Sequence, residues 1–361
     1  MNPVEVEKSL PFQFGDVKSC NNIWLTLTNL CNIHCKYCFN YVSNCHEHMP
    51  SSLTIAIIRA HLSKLDSTLD KPLYINYFGG EPTLNQDALI QSIDFINEND
   101  VNSELCLMTN GVIKPKVLAR LLNNNIDFQI SFDGEQNNLR FNKNLKSEIY
   151  EHTVNSIKTL AEAHEQIAIR STIHHDNVTN MIDLVRFCDK HQLTKLKIAP
   201  ICDFGDAKTF AIKQPQLDEY IDNYKKAYEL GLQYGVQMEP QGKRYLTKMY
   251  QRKMSIPLVW LPDGNVAMTI TYATSKAKGA EHIIIGKYND LTDEIDLNRK
   301  KINQMKMNFL KNRGKYCAEC PIKEICCGNL QFTPFATDTF TPARDRYFCD
   351  LAVKMVEQFP D

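Results

Sequence analysis

The sequence predicts an α/β protein built on parallel strands, and three observations carry the prediction. Between Ile23 and about Cys202, strand-like apolar runs alternate with amphipathic helical stretches, the order that βαβ units impose on a chain. The first run leads into three closely spaced thiols, Cys31, Cys35 and Cys38, on the loop leaving a strand's C-terminal end, where α/β sheets build their sites. A second group of thiols, Cys317, Cys320, Cys326 and Cys349, follows the alternating region and marks a smaller unit.

The strands read as 23–28, 73–78, 104–109, 127–132, 167–173 and 195–201, and the helices fall near 52–66, 86–98, 115–124, 147–164 and 178–190. Ile58, Leu62, Leu65 and Leu69 step by four, three and four residues and so share a helix face, as do Leu89, Ile93 and Ile96. This alternation suits a doubly wound sheet as well as a barrel. Cys106 and Cys188, inside a strand and a helix, read as small buried apolar side chains. A helical segment near 216–231, followed by Tyr234 to Gly242, belongs to a connector over 206–255 or to part of a substrate cavity. Ile256 to Ile270 reads as a hairpin turning at Asp263-Gly264, which opens the second unit.

Composition narrows the function classes. With 41 Lys and Arg against 42 Asp and Glu, the formal charge of −1 leaves no broad footprint for nucleic acid or an anionic membrane. The N-terminus is polar and acidic, unlike a signal peptide, and no apolar run approaches a membrane span. Thirteen cysteines in 361 residues fall mostly into two groups with ligand-like spacing, so a reducing, cytoplasmic compartment fits better than a disulfide framework.

Three cysteinates spaced CxxxCxxC can hold three corners of a [4Fe–4S] cluster and leave the fourth iron open to a small molecule. A structural zinc site completed by His34, His46 or Cys45 is the alternative, but the three-residue first gap and Tyr37 ahead of the last thiol are unusual for zinc. After the second strand, Gly79 and Gly80 permit close backbone approach to a ligand, and Glu81-Pro82 fix a polar turn. Strands three and four end in Thr109-Asn110-Gly111 and Ser131-Phe132-Asp133-Gly134, polar rims that also suit plain turns. Arg170, centred in the apolar run Ile167 to Ile173, calls for an anionic partner.

Cys31, Cys35 and Cys38 with Tyr37 in the aromatic slot, followed one βα unit later by Gly79-Gly80-Glu81-Pro82, resemble the cluster loop and GGEP motif of the radical S-adenosylmethionine (SAM) enzymes. The resemblance implies a partial (β/α)6 TIM-like barrel over 22–205, after an N-terminal extension of 1–21. It also implies reductive cleavage of SAM to methionine and a 5′-deoxyadenosyl radical. On the family's pattern Gly79, Gly80 and Glu81 bind the SAM amino group, Ser131 and Arg170 its carboxylate, Asn110 faces the ribose, and Tyr37 belongs to the SAM site.

In the C-terminal unit, CxxC-x5-C with a distant fourth thiol fits either a zinc ribbon or a fully ligated [4Fe–4S] cluster suited to electron transfer. Placed after such a barrel, 256–361 resembles the small iron-sulfur SPASM/twitch extension of peptide-modifying members. Thr269 and Leu330 stand where that family's further cysteines are expected. The expectation is therefore one auxiliary cluster on Cys317, Cys320, Cys326 and Cys349, with Cys327 a less favoured ligand. The implied function is hydrogen abstraction from a peptide or protein carbon in peptide natural product maturation, giving a crosslink, an epimerised residue or an oxidised one. Cys45, Cys202 and Cys327 are candidate hydrogen donors for epimerisation, with the reading as free structural cysteines favoured at each, and no catalytic acid or base stands out. Expected partners are a peptide substrate and a reductant such as flavodoxin or ferredoxin; since the short N-terminus leaves no room for a recognition domain, any leader is expected to bind the barrel, the extension or a separate leader-recognition protein. The alternatives are an epimerase or dehydrogenase of a sugar or aminocyclitol and a non-catalytic zinc-binding scaffold.

Overall fold

Ile23, Leu25 and Leu27 are fully buried and alternate with Trp24 and Thr26, so the first strand packs one apolar face outward against helices and turns the other inward. The structure, a computed structural model, describes residues 12–13, 17–18, 20–40, 45–65, 71–135, 139–141, 148–163, 167–238, 254–255, 257–323, 326 and 342–359. Its main strands are β1 (Asn22–Thr28), β2 (Leu73–Gly79), β3 (Ser103–Thr109), β4 (Asp127–Ser131), β5 (Ile167–Ile173), β6 (Lys195–Pro200), β7 (Gln237–Met238), β8 (Leu258–Trp260), β9 (Asn265–Ala267), β10 (Ile284–Asn289) and β11 (Glu294–Leu297). The helices between and after them include α1 (Ser51–Lys64), α2 (Gln86–Glu98), α3 (Pro115–Leu121), α4 (Glu148–Ala163), α5 (Met181–Lys190), α6 (Leu217–Tyr234), α7 (Arg299–Tyr316) and α8 (Pro342–Gln358).

Among the described residues these strands form one sheet in the order β7-β6-β5-β4-β3-β2-β1-β8-β9-β10-β11. Strands β1 to β6 are parallel and follow the order of the chain without reversal. A doubly wound sheet reverses its order at a switch point, so strand order settles what periodicity left open: the strands are wound in one direction, as in a partial barrel. Leu107, Ile130, Ile169 and Leu196 on the outer face are buried with the helices' apolar faces in one core. The register places Cys106 and Asn76 together on the inner face, and Ser131, Arg170 and Lys197 beside one another on it. Cys188 is fully buried as expected, whereas Cys106 is half-buried on that inner face. The reason is parity: one residue along β3, Leu105 and Leu107 take the core side.

The expected hairpin forms as β8 and β9, antiparallel across Asp263-Gly264. Its first strand lies parallel to β1, with Leu258 to Trp260 opposite Ile23 to Leu25. The C-terminal unit is thus joined to the barrel through a shared sheet. The Trp260 indole N–H donates to His61 Nε2 of α1 at 2.9 Å, and Lys64 at the end of α1 pairs with Glu294 of β11 at 2.9 Å. The helix expected near 178–190 begins at Met181, because His174 and Asn177 cap a preceding 3-10 turn over His175–Asn180. No described helix is long and apolar enough to cross a membrane. The connector's Glu239 to Gly242 lies outside the described residues.

Candidate active site

The C-terminal ends of β1 to β5 converge on the loop that carries the three thiols. Gly79 and Gly80 are required there, but for a reason the motif alone does not reveal. A Cβ on Gly79 would lie 2.1 Å from the Thr28 carbonyl oxygen, and one on Gly80 would lie 2.1 Å from that of Leu30. The turn after β2 therefore lies directly on the segment entering the thiol loop, and the glycines serve this backbone packing. Gly80 N–H donates to Thr28 O at 2.8 Å and Glu81 N–H to Leu30 O at 2.7 Å.

Glu81 is fully buried and ties the ends of β2 and β3 together. Its Oε1 accepts from the Thr83 hydroxyl at 2.7 Å and the Thr109 hydroxyl at 2.8 Å, and its Oε2 accepts from Asn110 N–H at 2.7 Å. Burial pushes this carboxyl above its usual range, against the lowering effect of those bonds. Asn110 is turned toward the thiol loop: its Nδ2 donates to Asn32 Oδ1 at 2.7 Å and lies 3.5 Å from Cys31 Sγ, while its Oδ1 accepts from Val112 N–H at 2.8 Å. The Asn110 amide thus positions the loop.

Cys31 is exposed, and Cys35 and Cys38 are half-exposed. Cys38 N–H donates to Cys35 O at 2.9 Å and Asp206 N–H to Cys38 O at 2.9 Å, while His34 Nε2 meets the Asp206 carboxylate at 2.7 Å. Burial, then Cys35 and Cys31 beside it, pushes the Cys38 thiol well above its usual range. Burial likewise raises Cys35. Three mutually close thiols that resist ionisation alone are a donor set suited to a cationic group that stabilises thiolates, and an iron–sulfur cluster is such a group. Among the described residues no three His, Cys, Asp or Glu side chains form a single-ion site.

Tyr37 turns its hydroxyl into a short hydrogen bond with the Asp133 carboxylate, whose other oxygen accepts from the Ser171 hydroxyl at 3.1 Å and Thr172 N–H at 2.7 Å. Its hydroxyl thus locks the thiol loop to the ends of β4 and β5. Ser131 and Arg170 are adjacent on the inner face as lateral partners, and Arg170 is half-buried there instead of facing the core. Sequence reasoning missed Arg140, which is 8% exposed and lies beside Cys35. Its Nη1 donates to Ser131 O in a short bond and its Nη2 to Asn110 O at 3.0 Å. Arg140 lies outside any periodic segment; an arginine following the SxDG turn was its only signal.

The C-terminal thiols also come together. Burial, then Cys326, Cys317 and Cys320, pushes the Cys349 thiol up to about 12, and burial, then Cys326 and Cys320, raises Cys317. Arg313 clamps their loop, donating from Nη1 to Cys326 O at 2.8 Å and from Nη2 to Lys323 O. Cys327 and Leu330 lie outside the described residues. Thr269 is buried and shares a hydrogen bond with Thr271 at 2.9 Å. Cys45 Sγ lies 3.9 Å from the Thr274 hydroxyl, and Cys202 is half-buried after β6.

Residues 25–188 match the family model described as the radical SAM superfamily. The chain is 28% identical over 229 residues to the radical SAM cyclopropyl synthase TigE of Paramaledivibacter caminithermalis, covering 59% of this chain and 47% of that protein. It is 25% identical over 210 residues to a GTP 3′,8-cyclase of Clostridium perfringens, covering 57% and 64%. The matches thus span about half to two thirds of these relatives' lengths. Among solved structures, anSMEcpe with bound AdoMet superposes with a TM-score of 0.69 at 16% identity, covering 93% of this chain and 96% of that one. Streptococcus suis SuiB bound to the precursor peptide SuiA gives 0.62 at 15% identity, covering 86% and 72%. At such identities the likeness is one of fold.

Proposed function

Residues 25–188 match the radical SAM family model, and on that premise we propose that the chain cleaves SAM reductively and removes hydrogen from a carbon of a peptide or protein, as a step in peptide natural product maturation. The observation that carries this reading is the convergence of Cys31, Cys35 and Cys38 with the Glu81, Asn110, Ser131 and Arg170 positions at one end of a singly wound sheet. When bound, a three-cysteinate [4Fe–4S] cluster and SAM supply the one-electron chemistry. The protein's part is to hold them: the Glu81 carboxylate and Asn110 fix the thiol loop, Ser131 and Arg170 face the SAM carboxylate, and the Gly79-Gly80-Glu81 turn faces its amino group. Cys317, Cys320, Cys326 and Cys349 hold one auxiliary cluster in this reading. The peptide substrate is supported by the fold match to SuiB bound to its precursor peptide SuiA and to anSMEcpe bound to the Cp18Cys peptide, which extends over 86% and 93% of this chain.

Anaerobically reconstituted protein given SAM and dithionite is expected to release 5′-deoxyadenosine, measured by liquid chromatography and mass spectrometry. Joint replacement of Cys31, Cys35 and Cys38 by Ala abolishes it and leaves the C-terminal iron in place; undiminished release from that variant defeats the reading. Coexpression with short peptides encoded beside the gene then tests the substrate, through loss of hydrogen mass or uptake of solvent deuterium. A small molecule such as a sugar or aminocyclitol is the second reading, favoured by the match to GTP 3′,8-cyclase; it predicts that such peptides stay unmodified. Zinc at both thiol groups in anaerobic protein returns the chain to a binding scaffold.

A further inference from the structure

Arg140 poses an electrostatic problem. It is more than nine-tenths buried, its two terminal nitrogens are used on the carbonyl oxygens of Ser131 and Asn110, and its Nε is buried with no hydrogen-bond partner. Among the described residues no carboxylate lies within ion-pair distance of it. A buried guanidinium without an anion is costly, and removing a charge from water is tolerated where another charge compensates it. Arg140–Phe141 pairs antiparallel with His34–Cys35, setting Arg140 opposite Cys35, and Lys36 N–H donates to Leu139 O at 2.8 Å. The groups that act on it as negative charge are the Tyr37 hydroxyl, Cys35, Asp133 and Cys31; the Tyr37 hydroxyl and Asp133 are bound to each other and Asp133 also to Ser171 and Thr172, whereas the Cys35 thiol is hydrogen-bonded to Arg140 itself.

We infer that Arg140 is the counter-charge of the thiol loop: it pins Cys35 against the ends of β3 and β4 and favours the more reduced state of an iron–sulfur cluster held by Cys31, Cys35 and Cys38. The inference rests on the proposed function. A [4Fe–4S]2+ core on three thiolates is a monoanion, and accepting one electron from an external low-potential reductant makes it a dianion. A fixed cation in a poorly solvated position stabilises the dianion more than the monoanion. Arg140 is accordingly a positioning residue whose effect is read in the cluster's redox equilibrium.

The test compares wild-type, Arg140→Gln and Arg140→Lys proteins loaded anaerobically with iron and sulfide and titrated with dithionite against mediator dyes. The barrel cluster is followed through the part of the electron paramagnetic resonance signal that changes when SAM is added. Arg140→Gln is expected to lower the ratio of reduced to oxidised cluster at a fixed potential by tenfold or more, a shift of about 59 mV for one electron, while Arg140→Lys retains most of the wild-type ratio. A smaller change in the Gln variant overturns the inference. If the Gln variant keeps the C-terminal iron but loads none at the barrel, normal loading of the Lys variant supports the counter-charge role, and failure of both overturns it. Zinc at the barrel thiols of the wild type would instead defeat the proposed function itself, so the two failures are separable.

Discussion

Arg170 occupies the middle of an apolar strand because alternate residues of β5 face opposite sides. Ile169 and Ser171 are fully buried on the outer side, while Arg170 lies on the inner face between its lateral partners Ser131 and Lys197. Lys197 Nζ donates to the Gln129 side chain at 3.0 Å, so this part of the inner face is polar and suited to an acidic ligand group. If Arg170 grips the SAM carboxylate, Arg170→Ala removes a charge-assisted hydrogen bond contributing roughly 1.5–3 kcal/mol. SAM affinity then falls about ten- to a hundredfold, as isothermal titration of cluster-loaded protein will measure. An unchanged dissociation constant would remove Arg170 from the site.

At the scale of elements, the turn after β2 and the thiol loop after β1 act as one unit. Gly80 is the contact point, since an added Cβ would sit 2.1 Å from Leu30 O, a backbone atom that moves only with the loop. Overpacking of this kind costs roughly 1–3 kcal/mol, and here the strain falls on the loop that carries Cys31, Cys35 and Cys38. Gly80→Ala is therefore expected to reduce barrel iron while sparing the C-terminal thiols, more than 200 residues further along the chain. Iron analysis would show about half the wild-type content if each site holds one [4Fe–4S] cluster. Full iron content with normal SAM cleavage would show that the contact is relieved without disturbing the loop.

Across the whole molecule, α1 of the barrel and the β8–β9 hairpin are joined by the Trp260–His61 hydrogen bond. Both residues are fully buried, and His61 must be neutral to accept the indole N–H. Burial lowers its pKa from 6.5 to about 3. Between those values the unfolded chain binds a proton that the native protein refuses, so this linkage reduces stability as pH falls below about 6.5. At pH 5 the loss from this group is roughly 2 kcal/mol relative to neutral pH. Melting temperature recorded at pH 7 and pH 5 should fall less in His61→Leu than in wild type. An equal fall in both would exclude His61 as a source of acid sensitivity.

The candidate site groups were legible in the sequence because the patterns that mark them are local. CxxxCxxC after a strand, Gly-Gly-Glu-Pro one βα unit later and CxxC-x5-C near the end are short patterns whose spacing restricts the donors they can bring together. The α/β alternation was equally visible, since burial of one strand face or one helix stripe leaves a periodic trace. Tertiary structure decided the order of the strands, the parallel placement of Leu258–Trp260 beside β1, and the inward position of Cys106. It also decided the work of individual groups: Glu81 and Asn110 brace the loop, Tyr37 binds Asp133, and Arg140 is enclosed beside Cys35. None of these is periodic or local. Each depends on which strand ends meet, and that is fixed by burying the outer faces of β1 to β6 together under their helices.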